Sequence, residues 1–201
     1  MRFLITGFEP FGQETVNSSW EAVKVLPKKI ESAKVIKECL PVSFKGAVEK
    51  LEQLIELHHP DVVLNVGQSA GRYEINVERI AINMADSKKG DNDNYCPKEY
   101  KIHTDAPNAY FSNLPVSKLV EAIQNAGIPA VVSNSAGLYV CNSVFFSAMH
   151  LVHCKYPNMQ VGFIHIPNMP CQTIGKTRQP SMAVETMSQA LKTIVRTIVN
   201  Q

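Results

Sequence analysis

Short apolar runs alternate with helical patterns along almost the whole chain, and this alternation constrains the fold more than any other feature. The predicted strands are Arg2–Thr6, Lys34–Leu40, Asp61–Val66, Ala130–Ser133 and Val161–His165. The predicted helices are Ser18–Leu26, Ser43–Leu57, Val116–Asn125, Val140–Lys155 and Met182–Val199. Such alternation predicts an α/β fold, in which a mostly parallel sheet carries helices on both of its faces.

One stretch of the chain, residues 71–115, breaks this alternation. It contains a long extended-looking run, 73–84, followed by a polar segment at about 86–110 with one glycine and two prolines. An irregular segment of this length inside a compact domain is usually functional or interfacial. Because 201 residues are typical of one domain, we predict a single domain over residues 1–201 with an irregular arm at about 86–110.

The charge and cysteine content exclude several classes of partner. The formal net charge is only +2, which is too small to predict binding to nucleic acid or to an anionic membrane. No apolar run reaches the roughly 18 residues that a membrane span needs, and the N-terminal segment lacks a cleavage site for a signal peptide. Five irregularly spaced cysteines favour reduced thiols over a disulfide framework. We therefore expect a cytoplasmic protein.

Cys141 lies in the run YVCNSVFF, after the turn-prone letters SNSAG and at the start of a predicted helix. Ligands of open α/β sheets bind beyond the carboxyl ends of the strands, and the preceding strand would carry Cys141 to that edge. A helix N-terminus stabilises a thiolate through its free N–H groups and its dipole. Cys141 is therefore either a nucleophile or a small apolar group packed between Val140 and Val144, since free cysteines are often buried.

A thiol nucleophile needs a general base, and the six histidines differ in where the predicted elements put them. Two lie about 13 and 18 Å along the helix of Cys141, beyond its reach, and two precede a strand at the opposite edge of the sheet. The histidines excluded in this way are His58, His59, His150 and His153. His165 ends the strand VGFIH and so reaches the edge predicted for Cys141, while His103 in the arm stays an alternative.

A third group usually orients the imidazole of such a pair. Glu78 stands out because it lies within the largely apolar run INVERIAIN, where an unpaired carboxylate is costly to bury. Arg79 points to the other face of the strand and is not its obvious partner. Glu74 and Asp86 compete for the same role, and the simpler explanation is that Glu78 faces water on an edge strand.

Two strand ends carry residues that suit a small neutral ligand. The loop GFEPFG (7–12) lacks both the Lys-Ser/Thr of a P-loop and the spacing GxGxxG, but it places Phe8 and Phe11 near the ligand edge. The segment NVGQSAGR (65–72) brings Gln68, whose amide can donate and accept hydrogen bonds. Ordinary loop packing is the alternative for both segments.

A metal site is not expected. The run HLVHC (150–154) puts His150, His153 and Cys154 on one helix, but zinc would need a fourth ligand from elsewhere. No CxxC pair and no second cluster of such ligands is present in the sequence.

Four segments, in consistent order along nearly the whole chain, resemble those of the pyroglutamyl peptidase I family of cysteine peptidases, also called pyrrolidone-carboxylate peptidases. GFEPFG followed by VNSSWEAV is similar to the N-terminal signature of the family, and VGQSAGR followed by VERIAIN to the segment with its acidic residue. SAGLYVCN and GFIHIP resemble the segments with its nucleophile and its histidine. The resemblance implies that Cys141 is the nucleophile, His165 the base and Glu78 the orienting acid.

The family removes an N-terminal pyroglutamyl residue from peptides, so the resemblance implies pyroglutamylated peptides as substrates and a thioester acyl-enzyme formed without a cofactor. It also implies a single-domain three-layer α/β/α sandwich and a homo-oligomer, often a tetramer, to which the arm can contribute contacts. The pocket residues that it implies are Phe8, Phe11, Asn17, Gln68, Tyr139 and Val140.

The chain departs from the family pattern at Ser143 and in the run 87–92, and Ser18 stands where proline is common. Ser143 stands where the family often has a histidine, which is not its catalytic one. The run SKKGDN (87–92) replaces an ARIPDN-like run, so Lys88 and Lys89 stand for an arginine and an apolar residue. The alternative hypothesis is therefore a non-catalytic or weakly active small-molecule-binding module of the same fold. A phosphorylase-like enzyme is a third hypothesis, but its phosphate site would need basic residues that the early loops lack.

Overall fold

The computed structural model describes residues 1–201, and a seven-stranded sheet lies at its centre. The nine strands of the chain are β1 (Arg2–Phe8), β2 (Lys29–Ile30), β3 (Ala33–Leu40), β4 (Val62–Gln68), β5 (Ile75–Glu78), β6 (Ile80–Ile82), β7 (Ala109–Phe111), β8 (Ala130–Ser133) and β9 (Gln160–Ile166). β6 and β7 form a separate two-stranded sheet, and the other seven form the central sheet. The helices are α1 (Ser18–Lys24), α2 (Phe44–His58), α3 (Val116–Asn125), α4 (Val140–Cys154) and α5 (Val184–Val199), with a 3₁₀ helix at Pro170–Gln172.

The sheet has the strand order β2-β3-β1-β4-β9-β5-β8 and is mostly parallel. β1 pairs in parallel with β3 and β4, β4 with β9, and β5 with β8. Only β2 against β3 and β5 against β9 are antiparallel. The predicted α/β fold with a mostly parallel sheet is therefore confirmed.

Helices cover both faces of the sheet, as predicted, and produce two separate apolar cores. One core packs α1, α3 and α5 against alternate side chains such as Phe3, Ile5 and Ile164. The other packs α2 and α4 against the side chains between them, such as Leu4, Val63 and Phe163. Neighbouring side chains of a strand point to opposite faces of the sheet, so each face has its own apolar core. The helices packed on these two cores form, with the sheet, a three-layer α/β/α sandwich.

Local signals explain why the helices begin and end where they do. Asn17 caps α1 by accepting a hydrogen bond from the N–H of Ser19, and Ser43 caps α2 by accepting one from the N–H of Gly46. The last turn of α2 closes at His59, which adopts a left-handed conformation with φ 44° before Pro60. The predicted bounds of all five helices agree with the structure to within about two residues, a margin typical of helix ends.

The structure differs from the sequence prediction in the run 73–84, which was expected to be one extended segment. It divides after Glu78, so that β5 stays in the central sheet while β6 leaves it and pairs with β7 from the end of the arm. The short strands β2 and β7 were not predicted. The division matters for the site because Glu78 is the last residue of β5.

The route by which the chain reaches Cys141 also differs from the prediction. Because β5 is antiparallel to β9 and parallel to β8, β8 runs against β9, and its carboxyl end points away from the edge where β9 ends. The strand before Cys141 therefore does not deliver it to that edge. The loop 134–139 returns the chain there, and α4 then starts beside the end of β9.

The arm is held by side chains from its surroundings. Asn83 binds it from one end, donating to the carbonyls of His103, Ala106 and Pro107 and accepting from the N–H of His103. At the other end, the Asp91 carboxylate accepts hydrogen bonds from the N–H groups of Phe44, Asp93 and Tyr95. These bonds connect the arm to the start of α2 and to the segment after β6.

Asn142 connects α4 to the end of β6 and to the segment that leads into the arm. Its side chain is 1% exposed and makes three hydrogen bonds: Oδ1 accepts from the N–H of Ile82, and Nδ2 donates to the carbonyls of Ile82 and Met84. A single side chain thus satisfies three backbone groups beside α4. Nothing in the local sequence signals this role, since Asn142 lies in an apolar helix.

We expect Asn142→Ala to lower the free energy of unfolding by about 2–4 kcal/mol, because it removes three part-buried hydrogen bonds to the backbone, although the Ile82 carbonyl keeps the N–H of Met84 as a donor. Urea unfolding followed by circular dichroism would measure the loss. Asn125→Ala, an exposed change at the end of α3, serves as the control and should cost less than about 0.5 kcal/mol. Equal small effects of both changes would contradict this role.

No helix of the protein is both long enough and apolar enough to pass through a lipid bilayer.

Candidate active site

The ends of β9 and β5 bring an imidazole and a carboxylate together. In the antiparallel register of these strands, Asn76 lies opposite His165, and Glu78 lies two residues further along on the same face. The Nδ1 atom of His165 is 2.8 Å from Oε1 of Glu78. Glu78 is 2% exposed, so the expectation that it faces water is wrong.

Cys141 lies in the first turn of α4 and forms the third member of this chain of groups. Its half-buried thiol lies close enough to His165 to help raise the pKa of the imidazole. Because Glu78 occupies Nδ1, Nε2 is the ring nitrogen left for Cys141. No side chain caps the N-terminus of α4, so nothing competes with a ligand for the N–H groups of its first turn.

The environment of His165 favours its charged form. Burial is the largest single influence and lowers the pKa of His165, but the hydrogen bonds and charges of Cys141 and Glu78 together raise that pKa more strongly, to about 9. At neutral pH the group between the thiol and the carboxylate is therefore an imidazolium. Such a group can deliver a proton to a leaving amine.

Gly67 lies opposite His165 in the register of β4 and β9. Because Gly67 has no side chain, the Cys141 thiol can occupy the space above it. A Cβ atom added at this position would lie 2.9 Å from Sγ of Cys141 and 2.9 Å from two ring atoms of Phe163. Both contacts are far below van der Waals distance, so a side chain here would displace the Cys141 thiol or the Phe163 ring.

We expect Gly67→Ala to lower kcat/KM for the substrate proposed below by about 10²-fold, because a displacement of about 1 Å at a reacting atom has effects of this size. Gly46→Ala in α2 is the matched control, since the nearest atom to its added Cβ is the Ser43 Oγ at 3.2 Å. Full activity of Gly67→Ala would contradict the conclusion that Cys141 needs the absence of a side chain at position 67.

Aromatic rings stand beside this site at the end of β1, but they differ in exposure. Phe11 is half-buried, with its ring centroid 6.4 Å from that of Tyr139, which in turn is 5.2 Å from that of Phe44. Phe8 is 2% exposed and packs on Phe163, with the ring centroids 6.4 Å apart. Phe11 and Tyr139 can therefore contact a ligand directly, while Phe8 lies in the core against Phe163.

The remaining predicted pocket residues have different surroundings. Val140 is 1% exposed and belongs to the core under α4. Asn17 is also buried, and its amide is engaged with Ser19 and with the carbonyl of Glu9. Asn17 therefore fixes the first loop against α1 instead of presenting its amide to solvent. Gln68 is half-buried at the end of β4, and its Oε1 accepts a hydrogen bond from the N–H of Ser18.

A cavity of about 280 Å³ opens on the Glu78 side of His165. Its lining residues are Ser69, Arg72, Asn76, Glu78, Ser135, Ala136, Gly137 and His165. Two of its buried acceptor atoms, Oε2 of Glu78 and Oδ1 of Asn76, have no hydrogen-bond partner in the protein. This polar cavity draws its lining from the segment after β4, from β5 and from the loop before α4, with His165 at its wall.

The alternative groups do not reach this site. His103 packs on His150, with ring centroids 4.4 Å apart, and its Nε2 is 3.0 Å from the Ser147 Oγ on the far side of α4. Glu74 lies near Arg72 and makes no contact with His165. The structure contains no group of three His, Cys, Asp or Glu side chains that could hold a metal ion, and all five cysteines are free.

Comparison with known proteins identifies the chain. A sequence model of the pyroglutamyl peptidase family matches residues 1–201, the whole length. The chain belongs to the pyroglutamyl peptidase family. It is 49% identical to the pyrrolidone-carboxylate peptidase of Thermosipho africanus, over all of this chain and 98% of that protein, and 45% identical to that of Clostridium perfringens, over 99% and 93%.

Solved structures of pyroglutamyl peptidases agree with this fold. The crystal structure of pyroglutamyl peptidase I from Bacillus amyloliquefaciens superimposes with a TM-score of 0.96 at 40% identity, covering all of this chain and 97% of that one. The pyrrolidone carboxyl peptidase of Thermococcus litoralis gives 0.96 at 38% identity, covering 99% and 93%. The predicted fold and the predicted cysteine-type exopeptidase are thereby confirmed over the alternative of a non-catalytic binding module.

The departures from the pyroglutamyl peptidase pattern at Ser143 and in the run 87–92 lie away from the thiol. Ser143 is buried, its Oγ has no partner, and it lines a cavity of about 570 Å³ between α2, α4 and the arm. This cavity contains neither Cys141 nor His165. Lys88 and Lys89 are exposed, in a loop that contacts Tyr139 through the carbonyl of Gly90.

Proposed function

We propose that this chain removes an N-terminal pyroglutamyl residue from peptides. In this proposal Cys141 is the nucleophile, His165 carries the proton, and Glu78 orients the imidazole and stabilises its protonated form. The observation that carries the proposal is the 2.8 Å hydrogen bond between His165 Nδ1 and Glu78 Oε1, with the Cys141 thiol beside the same imidazole, in a member of the pyroglutamyl peptidase family. This arrangement of nucleophile, base and orienting group is a general solution to acyl transfer.

The first half of the reaction forms a thioester. The Sγ thiolate of Cys141 attacks the carbonyl carbon of the pyroglutamyl residue, and the carbonyl electrons move onto oxygen. The N–H groups at the start of α4 stabilise this oxyanion, since they have no capping side chain. The His165 imidazolium then gives its proton to the peptide nitrogen, the C–N bond breaks, and the shortened peptide leaves.

The second half releases pyroglutamate. The now neutral His165 takes a proton from water, which attacks the thioester carbonyl, and the C–S bond breaks to restore the thiolate–imidazolium pair. Glu78 stabilises the imidazolium in both halves through its bond to Nδ1. No step calls for a cofactor.

The substrate ring and the leaving peptide go to opposite sides of His165. The ring fits beside Phe11, Tyr139 and Gln68, because pyroglutamate is a flat, neutral lactam and this pocket offers rings and an amide. The leaving peptide, which receives its proton from His165, then extends toward the 280 Å³ cavity beyond it. The hydrolytic water enters from that same side once the peptide has left.

The raised pKa of His165 predicts the pH dependence of the reaction. The folded-state pKa of about 9 lies above the ordinary value of 6.5, so the imidazolium is present below pH 9 and is lost as the pH rises through 9. We expect kcat/KM to fall on the alkaline side with an apparent pKa near 9, measured by initial rates between about pH 7 and pH 10.5. An alkaline limb near 6.5 would contradict the ion pair.

The direct test is release of a fluorescent amine from a pyroglutamyl amide under reducing conditions, compared with the prolyl amide of the same amine. Turnover of the pyroglutamyl amide alone is the expected result, because proline has the same ring size but lacks the lactam carbonyl. Equal turnover of both substrates, or of neither by folded protein, would overturn the proposal.

Assembly and compartment are part of the same proposal. We expect a homo-oligomer, with the tetramer as the favoured size and with contacts from the arm, and we expect it in the cytoplasm, whose reducing conditions suit five free thiols. Light scattering of the intact chain and of a variant without residues 86–110 would test the assembly. An unchanged oligomer mass after the deletion would rule out arm contacts.

A further inference from the structure

Two backbone N–H groups determine how two neighbouring side-chain amides are oriented. The N–H of Ser18 donates to Gln68 at 2.8 Å, and the N–H of Met169 donates to Gln172 at 2.9 Å. A backbone N–H can only donate, so the amide atom that faces it must be the oxygen in both side chains. The nitrogen of each amide therefore points the other way.

For Gln172 the other direction contains only acceptors. Its Nε2 is 3.0 Å from Oε1 of Gln68, 3.3 Å from the carbonyl of Val16 and 3.4 Å from Oε2 of Glu14. Gln172 is 5% exposed, and a flipped amide would set its oxygen against these three oxygens and its nitrogen against a donor. Its orientation is therefore fixed by its surroundings.

This arrangement uses up one half of the Gln68 amide. Oε1 of Gln68 accepts from both Ser18 and Gln172, so both of its lone pairs are engaged. Its Nε2 donates to no acceptor in the protein, and the half-buried residue directly follows Gly67, where an added Cβ would lie 2.9 Å from Sγ of Cys141. The sequence allowed Gln68 to donate or to accept, whereas the structure leaves it only a donor for a ligand.

We propose that Gln172 is a positioning residue for substrate specificity: it holds Gln68 so that Nε2 donates a hydrogen bond to the lactam carbonyl of the pyroglutamyl ring. The inference rests on the proposed function. It explains selection against proline in physical terms, because a proline ring has no carbonyl and would leave this donor without a partner. Gln172 itself does not touch the ring and acts through Gln68.

A double-mutant cycle tests this directly. The variants are Gln68→Met, Gln172→Met and the double variant, and methionine keeps the length of glutamine without its hydrogen bonds. We expect each single variant to lower kcat/KM for the pyroglutamyl amide by roughly five- to tenfold. The double variant should be no worse than Gln68→Met alone, because Gln172 has no effect once Gln68 is gone.

A second measurement separates positioning from general damage to the fold. The lactam 2-pyrrolidone contains the ring carbonyl without the scissile bond, so its inhibition constant should rise in Gln172→Met by about the same factor as kcat/KM falls. The rate at which iodoacetamide alkylates Cys141 should stay unchanged. Gln53→Met, the same change at an exposed position of α2, is the control and should alter neither quantity.

The possible failures are distinguishable. The role of Gln172 would be refuted if the loss of kcat/KM in the double variant equalled the product of the two single losses, or if Cys141 were alkylated more slowly in Gln172→Met. Neither result would contradict the proposed peptidase activity. If the wild type turned over no pyroglutamyl amide, the proposed function would fail. The binding of 2-pyrrolidone to wild type and Gln172→Met, followed by its protection against thermal unfolding, would then still decide the role of Gln172: equal protection would refute it.

Discussion

Replacing Cys141 by alanine is expected to lower kcat/KM for a pyroglutamyl amide by at least about 10⁴-fold, the scale seen when the nucleophile of a catalytic triad is removed. The reason is that no other group near His165 can form the acyl-enzyme. The other four thiols are Cys39, Cys96, Cys154 and Cys171, and none of them is a hydrogen-bond partner of His165. Initial rates with a fluorescent pyroglutamyl amide would measure the loss.

Cys154→Ala is the matched control, because Cys154 is an exposed thiol at the other end of the same helix. It should change kcat/KM by less than about twofold. Mass spectrometry after rapid acid quench should find the thioester on Cys141 in the wild type and on no residue of Cys141→Ala. Residual activity within tenfold of the wild type in Cys141→Ala would refute the assignment of the nucleophile.

The second large effect is expected for Glu78→Gln, with a loss in kcat/KM of about 10³-fold. Glutamine has the size of glutamate but no charge, so it removes one of the influences that raise the pKa of His165. It can also turn its N–H toward Nδ1, which favours the wrong tautomer of the imidazole. Both effects lower the fraction of imidazolium that is available to protonate the leaving amine.

The pH profile distinguishes this role from simple loss of packing. Because the pKa of His165 falls when the carboxylate is removed, the alkaline limb of Glu78→Gln should move below that of the wild type. Glu74→Gln is the control: Glu74 is a second buried carboxylate in the same segment, but it makes no contact with His165. Glu74→Gln should keep kcat/KM within about threefold of the wild type and leave the alkaline limb of its pH profile unchanged. An unshifted alkaline limb in Glu78→Gln would argue against an electrostatic role of Glu78.

Strong local signals made most of the fold predictable. The helices have apolar residues at helical spacing, and β1, β3 and β4 contain apolar runs between clear breakers. The orientation of β5 and β8 in the sheet was not predictable. It depends on the pairing of β5 with β9, a strand distant in sequence, and no local pattern signals this pairing. The prediction that Cys141 and His165 share an edge therefore agrees with the structure, although the reasoning about β8 was wrong.

The same distinction applies to the site. Cys141, His165 and Glu78 attract attention because a thiol, an imidazole and a carboxylate in apolar segments are unusual. Gly67 and Gln172 do not, since their roles depend on partners that are distant in the chain: Gln172 bonds to Gln68 at a separation of 104 residues. A glutamine after a proline and a cysteine carries no local signal of such a partnership.

The position of β9 has a consequence for the order in which the molecule becomes active. β4 and β5 are neighbours in sequence, but β9, which begins only at Gln160, lies between them in the sheet. A nascent chain on the ribosome therefore has Glu78 long before it has His165, whereas Cys141 precedes His165 only shortly. Pairings this distant in sequence form late in folding, so we expect the chain to acquire its chemistry only as its last central strand enters the sheet, which keeps unfinished chains from acting as peptidases.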